Sequence, residues 1–479
     1  MVGGASRTAF KCCATCRRAG SRSSSAMVAL AAAAGLMMVA SAAAENLPEA
    51  MVRSYQTNPQ LNAERARLRG TDENLPQALT GYRPQIVASL GAGLQAVRNL
   101  LPDNAVQTAT LRPWTIGVTV SQTLFNGFKT ANSVRVAELQ VLSGREALRN
   151  VGQGVLLDAV TAYMNVLANK ALYEAQRTNV QVLKEIQATT KKRLDAGDVT
   201  PTDTAQAEAR VSRGLADLNA AEVALAISKE LYAQVIGVAP SELVPASPVD
   251  RLAPTTQTTA IETTNHEHPA ILGASYDVDV AQTSIKLAES SLLPQVSVQA
   301  SASRSVQTDT SLTTAATDQA SVLGQVNVPI YDGGMAASQT RQAKEVASQS
   351  RLVLEQVRNQ SRTAVVSAWV SNEGTKVALS AAESEVRAAD VALQGVRREA
   401  QGGQRTTIDV LNAQQDLTNA RSRQIMAQRD RVIASYTLLS AVGRLDIRTL
   451  NLNTPDYLPE VHYHQVRDTW HGLRTPSGQ

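Results

Sequence analysis

An internal duplication constrains the fold most strongly, because two copies of one sequence unit require two copies of one structure. The stretch GDVTPTDTAQ at 197–206 recurs as GQRTTIDVLN at 403–412, an offset of 206 residues. The same offset relates FNG at 125–127 to YDG at 331–333, and IG at 236–237 to VG at 442–443. Upstream, Pro84 and Pro294 match at an offset of 210, so the first unit carries four extra residues between its two predicted strands.

Each unit is predicted to run helix, strand, loop, strand, very long helix, tight turn and helix. We assign the first unit to 45–237, with a strand pair at 84–97 and 114–125 and a long helical hairpin at 128–237. The second unit is assigned to 268–443, with a strand pair at 294–306 and 320–331 and a hairpin at 334–443. The Pro- and Thr-rich segment 238–267 is interpreted as an irregular connector, and 444–479 as a further connecting segment and C-terminal tail.

The predicted strands alternate bulky apolar residues with small polar ones, as in WTIGVTVS at 114–121 and QVSVQAS at 295–301. A water-facing strand surface usually carries Lys and Glu, whereas this polar face carries Ser, Thr, Gly and Gln. The pattern therefore favours a membrane barrel with its apolar face towards lipid and its polar face towards the lumen. A soluble antiparallel sheet over a core shows the same alternation and is the alternative.

Aromatic residues are scarce, at 3% of the chain, and four of them lie near the predicted strand ends: Trp114, Phe125, Phe128 and Tyr331. We interpret these four as membrane-interface aromatics. Four strands cannot close a bacterial outer-membrane barrel, whose smallest known form has about eight. Closure requires several chains, and the strand pattern alone allows two copies or three.

The two long helices are predicted from proline-free runs at 129–196 and 336–400. A helix of about 65 residues is roughly 100 Å long. The returning helices carry partial heptads, for example Val211, Leu215 and Leu218, which indicates hairpin coiled coils.

The N-terminal segment 1–44 is predicted to be a cleaved signal peptide. Five basic residues precede an Ala-rich run at 26–40, which is shorter than the roughly 20 residues of a spanning helix. Without those five, 41 Lys and Arg face 42 Asp and Glu, a net charge of −1, so nucleic-acid binding is not expected. All three cysteines, Cys12, Cys13 and Cys16, lie in this segment, so no disulfide or thiol chemistry is expected afterwards.

Nothing in the sequence predicts an enzyme, a cofactor or a metal site. No catalytic triad, phosphate-binding loop or pair of catalytic acids stands out. The histidine pairs at 266 and 268 and at 462 and 464 lack carboxylate or thiol partners at metal-ligand spacing.

The signal peptide, the duplicated unit and the turn GQRTTIDVLNAQ resemble the TolC family of outer-membrane efflux and secretion channels, over about residues 45–450. The resemblance implies a mainly α fold with a small β part. Each chain of a homotrimer would contribute four strands to one 12-stranded transmembrane β-barrel, and two helical hairpins to a trimeric α-barrel crossing the periplasm. The connectors would form an equatorial belt.

The resemblance also implies a passive exit duct in the outer membrane of a Gram-negative cell, serving multidrug efflux or type I secretion. Its implied partners are a periplasmic adaptor (membrane fusion) protein, an inner-membrane RND or ABC transporter, and outer-membrane lipid. The alternative is a periplasmic coiled-coil scaffold without channel activity.

Transferred residue by residue, the resemblance places a periplasmic latch at Thr202, Asp203 and Arg405. It places a pore selectivity ring at Asp409 and Asn412, and adaptor contacts at Gly197, Asp198, Gly403 and Gln404. The family has a second acid where Asn412 stands, so a weaker cation preference is expected. It often has an aromatic latch residue where Ala400 stands, so the gating network is expected to differ in part. Helix capping alone is the alternative role for the turn residues.

Overall fold

The computed structural model describes residues 45–100, 102, 105–308 and 314–476, so the predicted signal peptide and its cysteines lie outside the described residues. The helices in these ranges are α1 Leu47–Thr57, α2 Pro59–Asp72, α3 Asn74–Leu79, α4 Lys129–Asp195, α5 Pro201–Ile236, α6 Gln257–Glu267, α7 Pro269–Glu289, α8 Met335–Gln401, α9 Thr407–Val442 and α10 Pro459–Arg467. The strands are β1 Gln85–Ala92, β2 Gln95–Leu100, β3 Val106–Asn126, β4 Gln295–Thr308 and β5 Thr314–Asn327.

Two helical hairpins dominate the molecule, as predicted. Helices α4 and α8 each have 67 residues, and α5 and α9 each have 36. Towards the hairpin turns α4 packs on α5 and α9, and α9 packs on α8. The helices are therefore connected in the order α5, α4, α9, α8, with a further contact of α5 on α9 near the tips, and α5 and α8 are the outer members.

The strands form one antiparallel sheet in the order β1, β3, β4, β5, and β2 continues β1 along β3. The register is unchanged across the break, because Ala92 faces Trp114 and Gln95 faces Leu111. The Gly93 N–H donates to the Pro113 carbonyl at 2.9 Å, but proline has no N–H to donate in return. The sheet is thus four strands wide, as predicted.

The register gives the sheet two chemically different faces. Cross-strand partners share a face, and one face carries mainly Val, Ile, Leu and Ala, for example Leu90, Ile116 and Val322. An ion pair between Arg304 Nε and Asp318 Oδ1, 3.6 Å apart, interrupts it. The other face carries mainly Ser, Thr, Gln and Gly.

The strand predicted at 84–97 is divided into β1 and β2, and the boundaries of β3 and β5 also differ from the prediction. Strand β3 begins at Val106 rather than 114, so Trp114 lies inside the strand and not at its start. Strand β5 spans Thr314–Asn327 rather than 320–331, which leaves Tyr331 outside the sheet. The ladder ends where Asn327 faces Gln295, because Pro329 on one strand and Pro294 on the other have no N–H to extend it.

Helical boundaries also differ. The segment 238–267, predicted to be irregular, contains α6, whose Thr256 caps the Thr259 N–H at 3.2 Å. Helix α6 lies 210 residues after α1, the offset that also relates the prolines at 84 and 294. The single helix predicted before the first strand pair is three helices, because the Asn58 side chain caps α2 and Pro59 begins it.

The core lies where α1 packs between the long helices, around Tyr163 and Tyr232. The Tyr163 hydroxyl lies 2.6 Å from the Val244 carbonyl oxygen and 2.8 Å from that of Glu45. Within the described ranges only α4 is long and apolar enough to cross a membrane, and 56% of its apolar window is buried inside the chain. This apolar stretch of α4 contributes to the core of the chain.

The C-terminal tail packs against the first unit. His462 Nδ1 lies 2.8 Å from Asp72 Oδ2, which ties α10 to α2. Further along, Arg83 donates to the Thr469 carbonyl at 2.9 Å and stacks on the Trp470 ring at 4.6 Å. The tail therefore reaches the start of β1.

Candidate functional site: the hairpin tips

Each hairpin turns on a glycine in the left-handed region of backbone conformation. Gly197 has φ +85° and Gly403 has φ +77°, which a residue with a Cβ adopts only with strain. The Asp198 N–H donates to the Arg193 carbonyl at 2.8 Å, and the Gln404 N–H donates to that of Glu399 at 2.9 Å. The four residues predicted to contact an adaptor, Gly197, Asp198, Gly403 and Gln404, are all exposed at these turns.

The acidic residues after each turn cap the helices that return from it. Asp203 Oδ2 accepts from the Thr200 N–H at 3.0 Å and from its hydroxyl at 2.8 Å. Asp409 makes the same two contacts with Thr406, at the same distances. The two tips are thus local copies of one structure, and the predicted capping is observed.

These hydrogen bonds lower the carboxyl pKa values. For Asp203, the Thr200 backbone and side-chain hydrogen bonds hold the pKa below its ordinary value. For Asp409, hydrogen bonds from the Thr406 side chain and backbone lower the pKa, and the charge of Arg405 adds to the effect. Both carboxylates are therefore ionised at neutral pH.

The side chain of Arg405 pairs with a carboxylate of its own hairpin turn. Its Nε donates to Glu399 Oε2 at 2.9 Å, and this bond is the main cause of its raised pKa. Within the parts of the chain that the structure describes, no hydrogen bond or ion pair joins Arg405 to Thr202 or Asp203. The single chain therefore does not bring the predicted latch residues together.

Asn412 connects the two hairpins. Its Oδ1 accepts a hydrogen bond of 2.8 Å from Arg210 Nη2, and the two residues are 202 positions apart. The sequence interpretation named Asn412 but missed Arg210, because no pattern in one helix identifies a partner in another.

A buried polar cluster lies next to this contact, at the junction of α4, α8 and α9. Asn179 Oδ1 accepts from Gln414 Nε2 at 3.2 Å and from the Thr418 hydroxyl at 3.0 Å. Arg397 Nη2 donates to Gln414 Oε1 at 2.9 Å. Buried polar groups satisfied in this way fix the relative position of the helices that carry them.

The predicted interface aromatics lie at different levels of the sheet. Phe125 and Phe128 pack edge to face at the end of β3, with ring centroids 5.3 Å apart. Trp114 lies twelve positions before Asn126, which is the last residue of that strand. Tyr331, 86% exposed, follows β5.

In the described part of the chain, no three His, Cys, Asp or Glu residues are grouped to hold a metal ion. His268 caps α7 through Nδ1 at 3.2 Å from the Ala270 N–H, and His462 pairs with Asp72. One histidine of each pair thus has a structural partner.

Solved structures with this arrangement are outer-membrane channels. The crystal structure of the Campylobacter jejuni CmeC outer membrane channel matches with a TM-score of 0.75, over 88% of this chain and 89% of that one, at 14% identity. The two chains therefore share one fold, with long helical hairpins and a small sheet.

The sequence match is more specific. The family model for outer membrane efflux proteins matches residues 51–238 and 260–444, one segment for each duplicated unit. The chain belongs to the outer membrane efflux protein family. It is a conduit of the outer membrane that extends into the periplasm, and not an enzyme.

Two relatives extend the comparison. The chain is 40% identical over 440 residues to the outer membrane efflux protein BepC of Brucella suis, covering 91% of this chain and 94% of that protein. It is 28% identical over 418 residues to the outer membrane protein TolC of Vibrio cholerae, covering 84% and 91%. The predicted resemblance to the TolC family is confirmed.

Proposed function

We propose that this efflux protein works as a homotrimer, in which three four-stranded sheets close one 12-stranded barrel in the outer membrane. The observation that carries the proposal is the pair of open sheet edges. Within the described residues, β1 and β5 each pair on one side only. A sheet with an apolar face and two open edges is not stable alone in lipid, because the edge N–H and C=O groups have no partners there.

The helices support the same assembly. The two outer helices of the row carry apolar side chains that are each at least 45% exposed: Leu215, Val223, Ile227 and Leu231 on α5, and Leu352, Val370, Val377 and Val391 on α8. The two edges differ in sequence, so copies join head to tail, α5 of one against α8 of the next. Such an interface closes into a ring.

Lipid is the partner proposed for the apolar sheet face. A periplasmic scaffold would expose Ile86, Leu90 and Val322 to water, and these side chains are 69%, 78% and 76% exposed in the single chain. A barrel places them against acyl chains. Phe125 and Phe128 would then mark the periplasmic interface, and Trp114 the outer one.

The hairpin tips are the proposed gate. In a closed ring, Thr202 and Asp203 of one hairpin would meet Arg405 of a neighbouring hairpin, in exchange for the Glu399 contact of the single chain. Exposed ion pairs contribute about 0 to 1 kcal/mol each. A latch of this strength holds the pore closed and yields to a binding partner.

The ring of Asp409 carboxylates would line the narrow end and favour cations. The exposed turns at Gly197, Asp198, Gly403 and Gln404 would contact a periplasmic adaptor coupled to an inner-membrane RND or ABC transporter. The 40% identical relative BepC is an outer membrane efflux protein, which favours a role in efflux over a role in protein secretion.

The proposal is tested by purifying the protein in detergent and measuring its oligomer mass and its conductance in planar lipid bilayers. A trimer that forms discrete channels is expected. A water-soluble protein that does not enter bilayers would support the scaffold alternative and contradict the proposal.

A further inference from the structure

The bond between Arg210 and Asn412 lies at the level where the proposed pore is narrowest. Asn412 follows Asp409 by three residues, which places both on one face of α9, about 5 Å apart along the helix axis. Arg210 belongs to α5, so its guanidinium reaches this face from the other hairpin. A fixed positive charge therefore lies about one helical turn from the Asp409 carboxylate.

We infer that Arg210 is a specificity-determining residue of this channel: it offsets the Asp409 charge at the narrow end and ties the two hairpins of one subunit together. The inference rests on the proposed function and deepens it. Three Asp409 carboxylates would face three Arg210 guanidinium groups. The constriction would then admit anionic amphiphiles more readily than a purely acidic ring.

The geometry separates the two roles of Arg210. The link between the hairpins requires Asn412 as the hydrogen-bond acceptor, whereas the offset of the Asp409 charge requires only the guanidinium of Arg210. The buried cluster of Asn179, Gln414 and Thr418 holds α4 and α9 in register independently, since it shares no residue with the Arg210 bond. Substituting Arg210 is therefore compatible with a folded hairpin pair.

The test is the reversal potential and mean conductance of purified channels in planar bilayers under a KCl gradient. R210A is expected to raise the potassium-to-chloride permeability ratio by about twofold or more. It is also expected to raise the mean conductance by about two- to fivefold, because the hairpins lose a link. N412A should raise the conductance alone, because the guanidinium remains. R210K should keep the wild-type ion preference.

R213Q is the matched control. Arg213 lies one turn further along α5 and makes no hydrogen bond or ion pair within the described residues, so R213Q removes the same charge without breaking the link. We expect the mean conductance to stay near the wild-type value, because the link to Asn412 is intact. Equal effects of R213Q and R210A on both readouts would overturn the inference, as would an R210A channel that matches wild type.

The failure of this inference is distinguishable from failure of the proposed function. If the wild-type protein forms no channels, the proposed pore itself is wrong, and if D409N leaves the selectivity unchanged, the proposed Asp409 ring is wrong. If D409N lowers cation selectivity while R210A changes nothing, only the role of Arg210 is wrong. The oligomer mass of each variant shows whether it has assembled.

Discussion

Single residues at the tips carry two roles, helix capping and the proposed gating, and only capping is visible in one chain. Asp409 accepts two hydrogen bonds from Thr406, and Asp203 does the same with Thr200. The turn motif made this capping predictable, because Thr and Asp at this spacing form a reciprocal cap. The partner of Asn412 was not predictable, because Arg210 approaches from the other hairpin.

Replacing Arg405 with Ser is expected to raise single-channel conductance, by removing the cation of the proposed latch. E399Q is the control, because it removes the partner that Arg405 has within its own turn and keeps the latch cation. Single-channel conductance in planar bilayers is measured for both variants, and only R405S is expected to exceed wild type. If E399Q reproduces R405S, the effect comes from the turn and not from a contact between hairpins.

Replacing Asp409 with Asn is expected to reduce cation selectivity and block by multivalent cations, because the proposed ring loses three negative charges. T406A is the matched control, since it removes the hydroxyl that bonds Asp409 in the cap and keeps the carboxylate of the proposed ring. Equal changes in both variants would assign the effect to lost capping. Selectivity that stays at the wild-type level in D409N would remove Asp409 from the pore lining.

The pH dependence of selectivity follows from the lowered pKa of Asp409. The ionised form contributes stability above the ordinary carboxyl pKa of about 3.9, and that stability is lost as the pH falls through the lower folded value. Cation selectivity is therefore expected to stay constant from pH 7 to pH 5. A loss of selectivity by pH 5 would show that repulsion between neighbouring carboxylates outweighs the Thr406 hydrogen bonds.

At the scale of elements, the long hairpins were predictable because proline-free runs end at repeated turn motifs. The strand ends were predictable only approximately. The repeated FNG and YDG motifs located the turns between the sheet and the long helices, but the pairing of neighbouring strands decides where each strand ends. Pro329 and Pro294 end β5 four residues before Tyr331, and Pro113 interrupts the junction of β1 and β2.

Helix α10 was missed because its packing on α2 depends on His462 and Asp72, 390 residues apart.

The two turns that join the sheet to the long helices, at Gly127 and Gly333, allow a matched comparison of stability between the duplicated units. Gly127 has φ +62° and Gly333 has φ +72° at equivalent positions. A Cβ at Gly127 would lie 2.6 Å from the Ser290 carbonyl oxygen, whereas a Cβ at Gly333 meets nothing within 4 Å. G333A is expected to cost about 1 kcal/mol of backbone strain, and G127A about 2 to 4 kcal/mol because crowding adds to the strain.

Thermal unfolding in detergent, followed by helical circular dichroism, measures the difference between these two variants. The midpoint should fall more for G127A than for G333A. Equal midpoints would mean that the loop containing Ser290 moves aside without cost.

At the scale of the whole molecule, the described residues leave the outer sides of β1 and β5 without a neighbouring strand and expose apolar side chains on the outer helices α5 and α8. The sequence predicted a shared barrel from the number of strands, but the pattern allowed two copies or three. The order of the helices adds that the two outer surfaces differ, which favours the proposed head-to-tail assembly. Curvature of the closed ring depends on packing between chains, which no residue pattern in one chain specifies.

A charge on the outer helix edge should weaken this assembly. Val377 is 71% exposed on α8, and V377E would bury a carboxylate between chains if α8 meets α5 of a neighbour. We expect V377E to shift the protein from trimer to monomer in size-exclusion chromatography with light scattering. V377I, which keeps the side chain apolar, should remain trimeric. A trimeric V377E protein would exclude this part of α8 from the interface.

The central claim is that one chain supplies a third of a pore wall. Native mass spectrometry of the processed protein released from a mild detergent tests this claim most directly. The account predicts a single species of three chains. A species of one chain, stable at all protein concentrations, would contradict it.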